Sequence, residues 1–124
     1  MITNFRRINT FFSNNMYSSY GIYIYYSYGL NTINNSIFLR GTSSSTFYGM
    51  YVYNGSTSYW GVIRNNNTVI DPNFSATAYP LYISTAAYIT NWDIDYNNWY
   101  SKNYLGYVGS AISTLADFQT AVST

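Results

Sequence analysis

The sequence predicts an all-β fold in which short strands from successive repeats stack on one another as a solenoid. Three observations support this prediction: a chain rich in aromatic and turn-forming residues, a tyrosine-centred motif that recurs, and a second motif interleaved with it. Aromatic and β-branched side chains fit a pleated surface, whereas Asn, Ser and Gly suit tight turns. The 124 residues are 48% hydrophobic and include 17 Tyr, which gives one compact domain enough apolar surface to bury.

The first motif places a tyrosine between two aliphatic residues, which is the period of a strand with one buried face. Its copies align on four tyrosines, at spacings of 28, 31 and 25 residues. The aligned residues are Tyr23, Tyr51, Tyr82 and Tyr107. We predict that these tyrosines stack on one outer face. The aliphatic residues that follow them are predicted to stack inside: Ile24, Val52, Ile83 and Val108.

The second motif joins an aliphatic residue to a run of asparagines, and it shares the period of the first. Aligning Asn9, Asn35, Asn67 and Asn98 gives spacings of 26, 32 and 31 residues. A unit of this length cannot close a core alone, but units stacked at the ~4.8 Å strand spacing bury a continuous one. The asparagines are predicted to form ladders in which each side-chain amide bonds to the neighbouring repeats. The alternative is that they are sugar-binding amides.

The segments between the motifs are rich in Gly, Ser, Thr and Asn, as expected for turns. Asn54-Gly55 allows an alternative, because this dipeptide also forms two-residue hairpins, which would make the fold an antiparallel sandwich or barrel. Residues 113–122 predict a short amphipathic helix, with a capping pair formed by Thr114 and Asp117 at its start.

Composition excludes several classes of function. The chain has no Cys and no His, so disulfides, Cys/His zinc sites and His-dependent nucleophiles are absent. The formal charge of +1 comes without a basic stripe, which argues against nucleic acid as a partner. No apolar run approaches the ~20 residues of a membrane-spanning helix, and no signal peptide is recognisable, so the sequence predicts no membrane insertion.

The outward tyrosines Tyr23, Tyr51, Tyr82 and Tyr107, joined by Trp60, are the candidate ligand-binding residues. Aromatic rings stack on sugars and on other rings. The alternative is that they only stabilise the sheet through neighbour pairs. Asp93 and Asp95 are the candidate metal ligands, since both would lie on one side of a strand. A calcium site needs more oxygen ligands than these two supply, so a polar corner is expected there, with no cofactor and no catalytic residue.

Three segments resemble a known family. They are 95–100 (DYNNWY), 105–107 (LGY) and 114–121 (TLADFQTA). In this order they resemble the end of right-handed parallel β-helix proteins of the pectate-lyase-like superfamily, in the form found in repeat regions of large secreted bacterial surface proteins of adhesin type. Two departures are that relatives continue beyond the helix with a further strand, and that the superfamily's enzymes carry Asp clusters with Arg or Lys. No such cluster can be placed here.

The resemblance implies a right-handed parallel β-helix of four to five coils with a short C-terminal helix, spanning residues 1–124 as one domain and representing an excerpt or the end of a longer solenoid. It implies a non-catalytic structural or adhesive segment of a secreted or cell-surface protein, with glycans or a host surface as partners. A carbohydrate-binding or polysaccharide-degrading module and a self-assembling unit with end-to-end self-association are the alternatives.

Overall fold

The computed structural model describes the backbone of residues 4–5 and all of residues 18–41, 45–71 and 77–123. Most of the regular structure in these residues is β-strand. The strands are β1 (Asn4–Phe5), β2 (Ser19–Tyr25), β3 (Leu30–Ile33), β4 (Ser36–Leu39), β5 (Phe47–Tyr53), β6 (Gly61–Arg64), β7 (Asn67–Ile70), β8 (Ala78–Ile83), β9 (Trp92–Asp95), β10 (Asn98–Tyr100), β11 (Gly106–Val108) and β12 (Ala111–Ile112). The helical elements are a 3-10 helix at Ala86–Ile89 and α1 (Leu115–Val122).

The strands form a four-stranded, a three-stranded and a five-stranded sheet. Their strand orders are β1-β3-β6-β9, β10-β7-β4 and β12-β11-β8-β5-β2. Consecutive strands enter different sheets: β2, β3 and β4 are followed by β5, β6 and β7, which pair with them in parallel. Strands β8, β9 and β10 continue the same pattern. Among the described residues, only the pair β11 and β12 is antiparallel.

These sheets correct the predicted fold. The prediction of a right-handed parallel β-helix of four to five coils is wrong: the described residues form three small parallel or mixed sheets, and the predicted short C-terminal helix is present as α1. The five-stranded sheet is mixed because the chain reverses after β11. Gly109 takes φ +67° in this reversal, a conformation that costs glycine nothing sterically, and parallel pairing ends there.

The alternative hairpin at Asn54-Gly55 is also absent. These residues follow β5 in the five-stranded sheet, and the next strand, β6, lies in the four-stranded sheet. The dipeptide therefore forms a corner between two sheets, and no antiparallel sandwich or barrel follows from it.

The predicted register of the first motif is confirmed. Tyr23, Tyr51, Tyr82 and Tyr107 are successive partners across β2, β5, β8 and β11. The residues that follow them pair in the same way, and each is at most 5% exposed: Ile24, Val52, Ile83 and Val108. Full burial of such aliphatic side chains stabilises a fold by about 1.5–3 kcal/mol each. The alternation of aliphatic and tyrosine residues therefore divides the sheet into a dry inner face and an aromatic outer face.

Gly49 lies where the five-stranded sheet packs tightly against the three-stranded sheet. A Cβ atom at this position would overlap the Thr68 side chain on β7 and the backbone oxygen of Pro80 on β8. Gly21 occupies the equivalent position on β2, against β4. Gly49 and Met50 are both buried, so two successive residues face the interior. The inside-outside alternation of the strand consequently shifts by one residue at the glycine.

A ladder of asparagines forms the corner between the four-stranded and three-stranded sheets. The backbone N and Nδ2 of Asn35 donate to Asn66 Oδ1 at 3.0 and 2.9 Å. The same two groups of Asn66 donate to Asn97 Oδ1, both at 2.9 Å. Asn66 Nδ2 also donates to the Thr32 carbonyl at 2.8 Å. The ladder satisfies the amide donors of Asn35 and Asn66 that burial removes from water, whereas Asn35 Oδ1 at its first rung is buried without a donor among the described residues.

The ladder confirms the stacked-asparagine prediction but corrects its alignment. Asn35 pairs with Asn66, whereas Asn67 is the register partner of Ser36 and accepts from Asn98 Nδ2 at 2.8 Å. The residues that precede the ladder asparagines all have positive φ, between 53° and 59°: Asn34, Asn65 and Tyr96. Two of the three are asparagines, which tolerate this left-handed conformation. The copy of the motif around Asn9 lies outside the described residues.

Helix α1 follows the antiparallel end of the five-stranded sheet. Thr114 Oγ1 accepts from the backbone N of Asp117 at 3.2 Å and donates to its carboxylate at 2.6 Å. Phe118 is the buried residue of the helix and packs against Gly106 of β11 and the Trp99 ring. Neither helical segment in the described chain has the length and apolar character needed to cross a membrane.

Candidate functional site: the tyrosine face

The outer side of the five-stranded sheet carries ten tyrosine rings, which we name the tyrosine face. Its members are Tyr20, Tyr23, Tyr25, Tyr48, Tyr51, Tyr53, Tyr79, Tyr82, Tyr104 and Tyr107. Parallel pairing in register brings identical side chains of successive strands to the same height, so the rings form columns. The four tyrosines predicted from the sequence make the central column, with centroid separations of 5.1, 4.7 and 4.5 Å and interplanar angles of 7–13°.

A second column lies beside the first and is not predicted by a strict two-residue alternation. It consists of Tyr20, Tyr48, Tyr79 and Tyr104, with centroid separations of 5.0, 6.2 and 5.2 Å. Tyr20 and Tyr48 lie three residues before the central column, where alternation would place them inside. The shift at Gly21 and Gly49 turns them outward. A glycine directly follows Tyr20 and Tyr48 and accompanies this shift, whereas Pro80 follows Tyr79 in the third copy.

The two columns contact each other edge to face. Tyr20 meets Tyr51 at 5.3 Å and 88°, and Tyr48 meets Tyr82 at 5.0 Å and 82°. Offset stacks and T-shaped pairs are the arrangements that aromatic quadrupoles favour, worth about 0.5–1.5 kcal/mol per pair beyond area burial. Within the columns the ring faces are occupied by neighbouring rings. Ring edges and hydroxyl groups therefore remain for contact with a partner.

The packing of the rings raises the pKa of several phenols. Burial is the main cause at Tyr51, where it raises the pKa to about 12, and the nearby hydroxyls of Tyr82 and Tyr23 disfavour a phenolate further. Burial also raises the pKa of Tyr48, Tyr79 and Tyr82. These four phenols consequently stay neutral well above physiological pH. Strands β2, β5, β8 and β11 contribute no charged residue to the tyrosine face.

Trp60 does not join the tyrosine face. It lies at the corner before β6, where its ring covers Gly29, and the Gly29 N–H donates to its carbonyl at 2.9 Å. Gly29 takes φ +62° there, and a Cβ atom would lie 2.9 Å from the indole. Trp60 is 47% exposed, so it remains a separate aromatic surface near the corner and not a part of the predicted row.

Asp93 and Asp95 have partners within the chain. Arg64 Nε donates to Asp93 Oδ1 at 2.7 Å, and Arg64 Nη2 lies 2.7 Å from Asp93 Oδ2. Asp95 Oδ1 accepts from the backbone N of Tyr96 at 2.8 Å. In the part of the chain that the structure describes, no group of three or more acidic residues surrounds a common point. The Arg64 and Asp93 pair was missed from sequence because it joins residues 29 positions apart.

A groove of about 760 Å³ lies at the end of the four-stranded and three-stranded sheets, apart from the tyrosine face. One wall is β9 with the turn that follows it, together with Trp99 of β10. The other wall is α1, through Leu115, Phe118, Gln119 and Val122. The groove combines apolar side chains with the polar edge of a strand.

Comparison with protein-family models, with curated proteins and with solved structures finds no match to this chain. The resemblance to repeat regions of secreted surface proteins therefore stays a prediction from the residues quoted for it.

Proposed function

We propose that this chain is a non-catalytic structural and adhesive module of a secreted or cell-surface protein, and that the tyrosine face is its contact surface. The observation that carries the proposal is the ordered array of ten rings on one side of the five-stranded sheet. Large contiguous apolar patches exposed on a protein surface mark interaction sites. A partner glycan or protein surface would lie across the columns.

The order of the rings favours binding. Tyrosine supplies a large amphipathic contact area and loses little rotamer entropy on binding. Here neighbouring rings already hold one another, so less conformational freedom remains to be lost. The exposed rings of β2 offer the most accessible part of the surface, with Tyr23 at 52% and Tyr25 at 54% exposure.

The geometry also favours one kind of contact over another. Stacking of sugars on open ring faces is the usual aromatic mode for carbohydrates, but the columns occupy those faces with tyrosines. Hydroxyl groups and ring edges are suited to hydrogen bonding and van der Waals contact with a broad surface. An uncharged face also makes the adhesion independent of salt, because no ion pair is screened.

Retention on insoluble material tests the proposal. Purified protein is incubated with cellulose, with chitin and with gelatin-coated beads, and the bound fraction is measured in dilute buffer and in about 1 M NaCl. We expect retention on at least one material at both salt concentrations. The double variant Tyr23→Ser/Tyr25→Ser is expected to weaken retention by about tenfold, as loss of two aromatic anchors does.

A matched control removes two exposed tyrosines from outside the face. Tyr96 is 73% exposed and Tyr100 is 47% exposed, so Tyr96→Asn/Tyr100→Ser removes a comparable aromatic area. Asn is chosen at Tyr96 because that residue has φ 53°. This variant should bind like the unmodified protein. Failure of the unmodified protein to bind every material, or equal losses in both double variants, would overturn the proposal.

A further inference from the structure

The groove beside α1 follows the free edge of a strand. Among the described residues, strand β9 is the last member of the four-stranded sheet and pairs only with β6. Its four consecutive residues 92–95 all line the groove, although their side chains alternate between the two faces of the sheet. A cavity lined by both faces of a strand runs along its edge. Unpaired backbone N–H and C=O groups on such an edge are a template for another strand.

The C-terminal helix covers only part of this end of the molecule. Its buried residue Phe118 packs against Gly106 and Trp99, which belong to the five-stranded and three-stranded sheets. Leu115 remains 62% exposed at the entrance of the groove. The helix thus provides an apolar wall facing β9 without closing its edge.

The asparagine ladder also ends at this groove, where the backbone N–H of its last residue has no acceptor among the described residues. The backbone N–H of Asn35 donates to Asn66, and that of Asn66 donates to Asn97. In the described chain no group accepts from the backbone N–H of Asn97, which lines the groove. This donor is available to an oxygen atom of a bound segment.

We propose that this groove binds an extended polypeptide segment that pairs in parallel with β9 and carries the chain's own repeat pattern. The pattern is two residues facing the interior, separated by one, followed by a left-handed turn and an asparagine. In β6 it reads Gly61, Ile63, Asn65 and Asn66. The Oδ1 of the bound asparagine would accept from the Asn97 N–H, as Asn97 Oδ1 accepts from the Asn66 N–H. Binding of an added strand to a free sheet edge is a common mode of peptide recognition.

Fluorescence anisotropy of a labelled peptide tests this inference. The peptide has the sequence of residues 61–68, GVIRNNNT, and is titrated with the intact 124-residue chain. We expect saturable binding. Leu115→Ser should weaken it by about tenfold, because apolar contact with the wall is lost. Ala116→Ser, which changes an exposed neighbour in the same helical turn outside the groove, should leave it unchanged.

Two altered peptides test the asparagine contact. Replacing the sixth residue by Ala removes the oxygen intended for Asn97 and should weaken binding by about fivefold, the value of one hydrogen bond. Replacing the fifth residue by Gly keeps the left-handed turn and should preserve binding. Absence of binding, or equal effects of the two peptide changes, would overturn the proposal.

Sedimentation of the protein alone identifies the other occupant. If the chain associates with itself at the assay concentration and Leu115→Ser abolishes that association, a second copy fills the groove and the proposed peptide mode is wrong. A monomer that binds the peptide supports it. These tests do not involve the tyrosine face, so the two proposals succeed or fail separately.

Discussion

The same repeat produces both the asparagine ladder and the tyrosine columns. The two differ in the interaction that joins neighbouring copies, which is hydrogen bonding in the ladder and ring packing in the columns. The ladder is buried and polar, and each rung gives two hydrogen bonds to the next. The columns are partly exposed and aromatic, and each ring contributes contact area to several neighbours. A buried polar atom without its partner costs about 1–3 kcal/mol, whereas a ring pair is worth about 0.5–1.5 kcal/mol.

This difference makes the ladder a structural element, whereas residues of the tyrosine face can be replaced at a smaller cost in stability. Loss of one ladder asparagine leaves several buried groups without partners, and water cannot replace them at a closed corner. Loss of one tyrosine leaves its neighbours exposed to solvent, which still hydrates their hydroxyls. Function can therefore vary on the tyrosine face at a smaller cost in stability than at the ladder.

The largest expected effect concerns the interior on which both arrays depend. Val52→Asp places a carboxylate in a column that is 1% exposed at this position, and an unpaired buried charge costs more than a small domain's stability of about 5–15 kcal/mol can bear. We expect no folded protein by circular dichroism. The adjacent outward change Tyr51→Ser should fold. Equal thermal shifts of the two variants would contradict the inside-outside assignment.

The next largest effect is expected for a central rung of the ladder. Asn66→Ala removes the acceptor of two Asn35 donors and the donor to the Thr32 carbonyl, so the free energy of unfolding should fall by about 3–5 kcal/mol. Urea denaturation measures it. Asn98→Ala is the control: its single bond to Asn67 is exposed, and its loss should cost less than about 1 kcal/mol. Similar losses would remove the distinction between buried and exposed amides.

A smaller effect is expected for one ring of the central column. Tyr51 contacts four other rings, so Tyr51→Ser should lower the free energy of unfolding by about 2 kcal/mol. Tyr100→Ser, a change of the same type outside the face, should lower it by less than about 0.5 kcal/mol. If the two values agree within error, ring stacking does not contribute to stability.

The smallest effect appears only at high pH. Tyr51 has a folded-state pKa of about 12 against 10.0 for the ordinary phenol, so the unfolded chain releases this proton first as the pH rises. The free energy of unfolding should therefore fall between pH 10 and about 12, with no contribution below pH 10. Tyr51→Phe should make that decline shallower in urea titrations across the window. Parallel declines in the two proteins would show that Tyr51 does not titrate there.

Much of the local arrangement was predictable. The repeats placed Tyr23 beside Tyr51 and the aliphatic residues inside, because a period of two fixes which side chains share a face. The ladder was predictable as a kind of structure, but its register was not. Asn66 and Asn67 are adjacent and chemically identical, and only the position of the left-handed turn at Asn65 decides which of them points inward.

Packing between sheets and corners decided two features that the sequence did not predict. These are the second tyrosine column and the position of Trp60 outside the tyrosine face. Gly49 has no room for a side chain against Thr68. The alternation of the strand shifts at this close contact, so the Tyr48 ring faces outward, where strict alternation would place it inside. A strand considered alone does not contain that information, because the neighbouring sheet supplies the constraint. Trp60 looked like part of the aromatic row until the corner placed it over Gly29.

By itself, the sequence determined that the chain is rich in strands, that its repeats align on tyrosine, and that Cys- or His-dependent chemistry is absent. These properties follow from composition and from periods of a few residues, which act within one strand or turn. Only the tertiary structure decided that the described strands form three small sheets, that Arg64 meets Asp93, and that β9 is the last of them in its sheet and lies beside α1. Those features join residues roughly 20–30 positions apart in the chain, and their distances are set by sheet packing and by the reversal at Gly109.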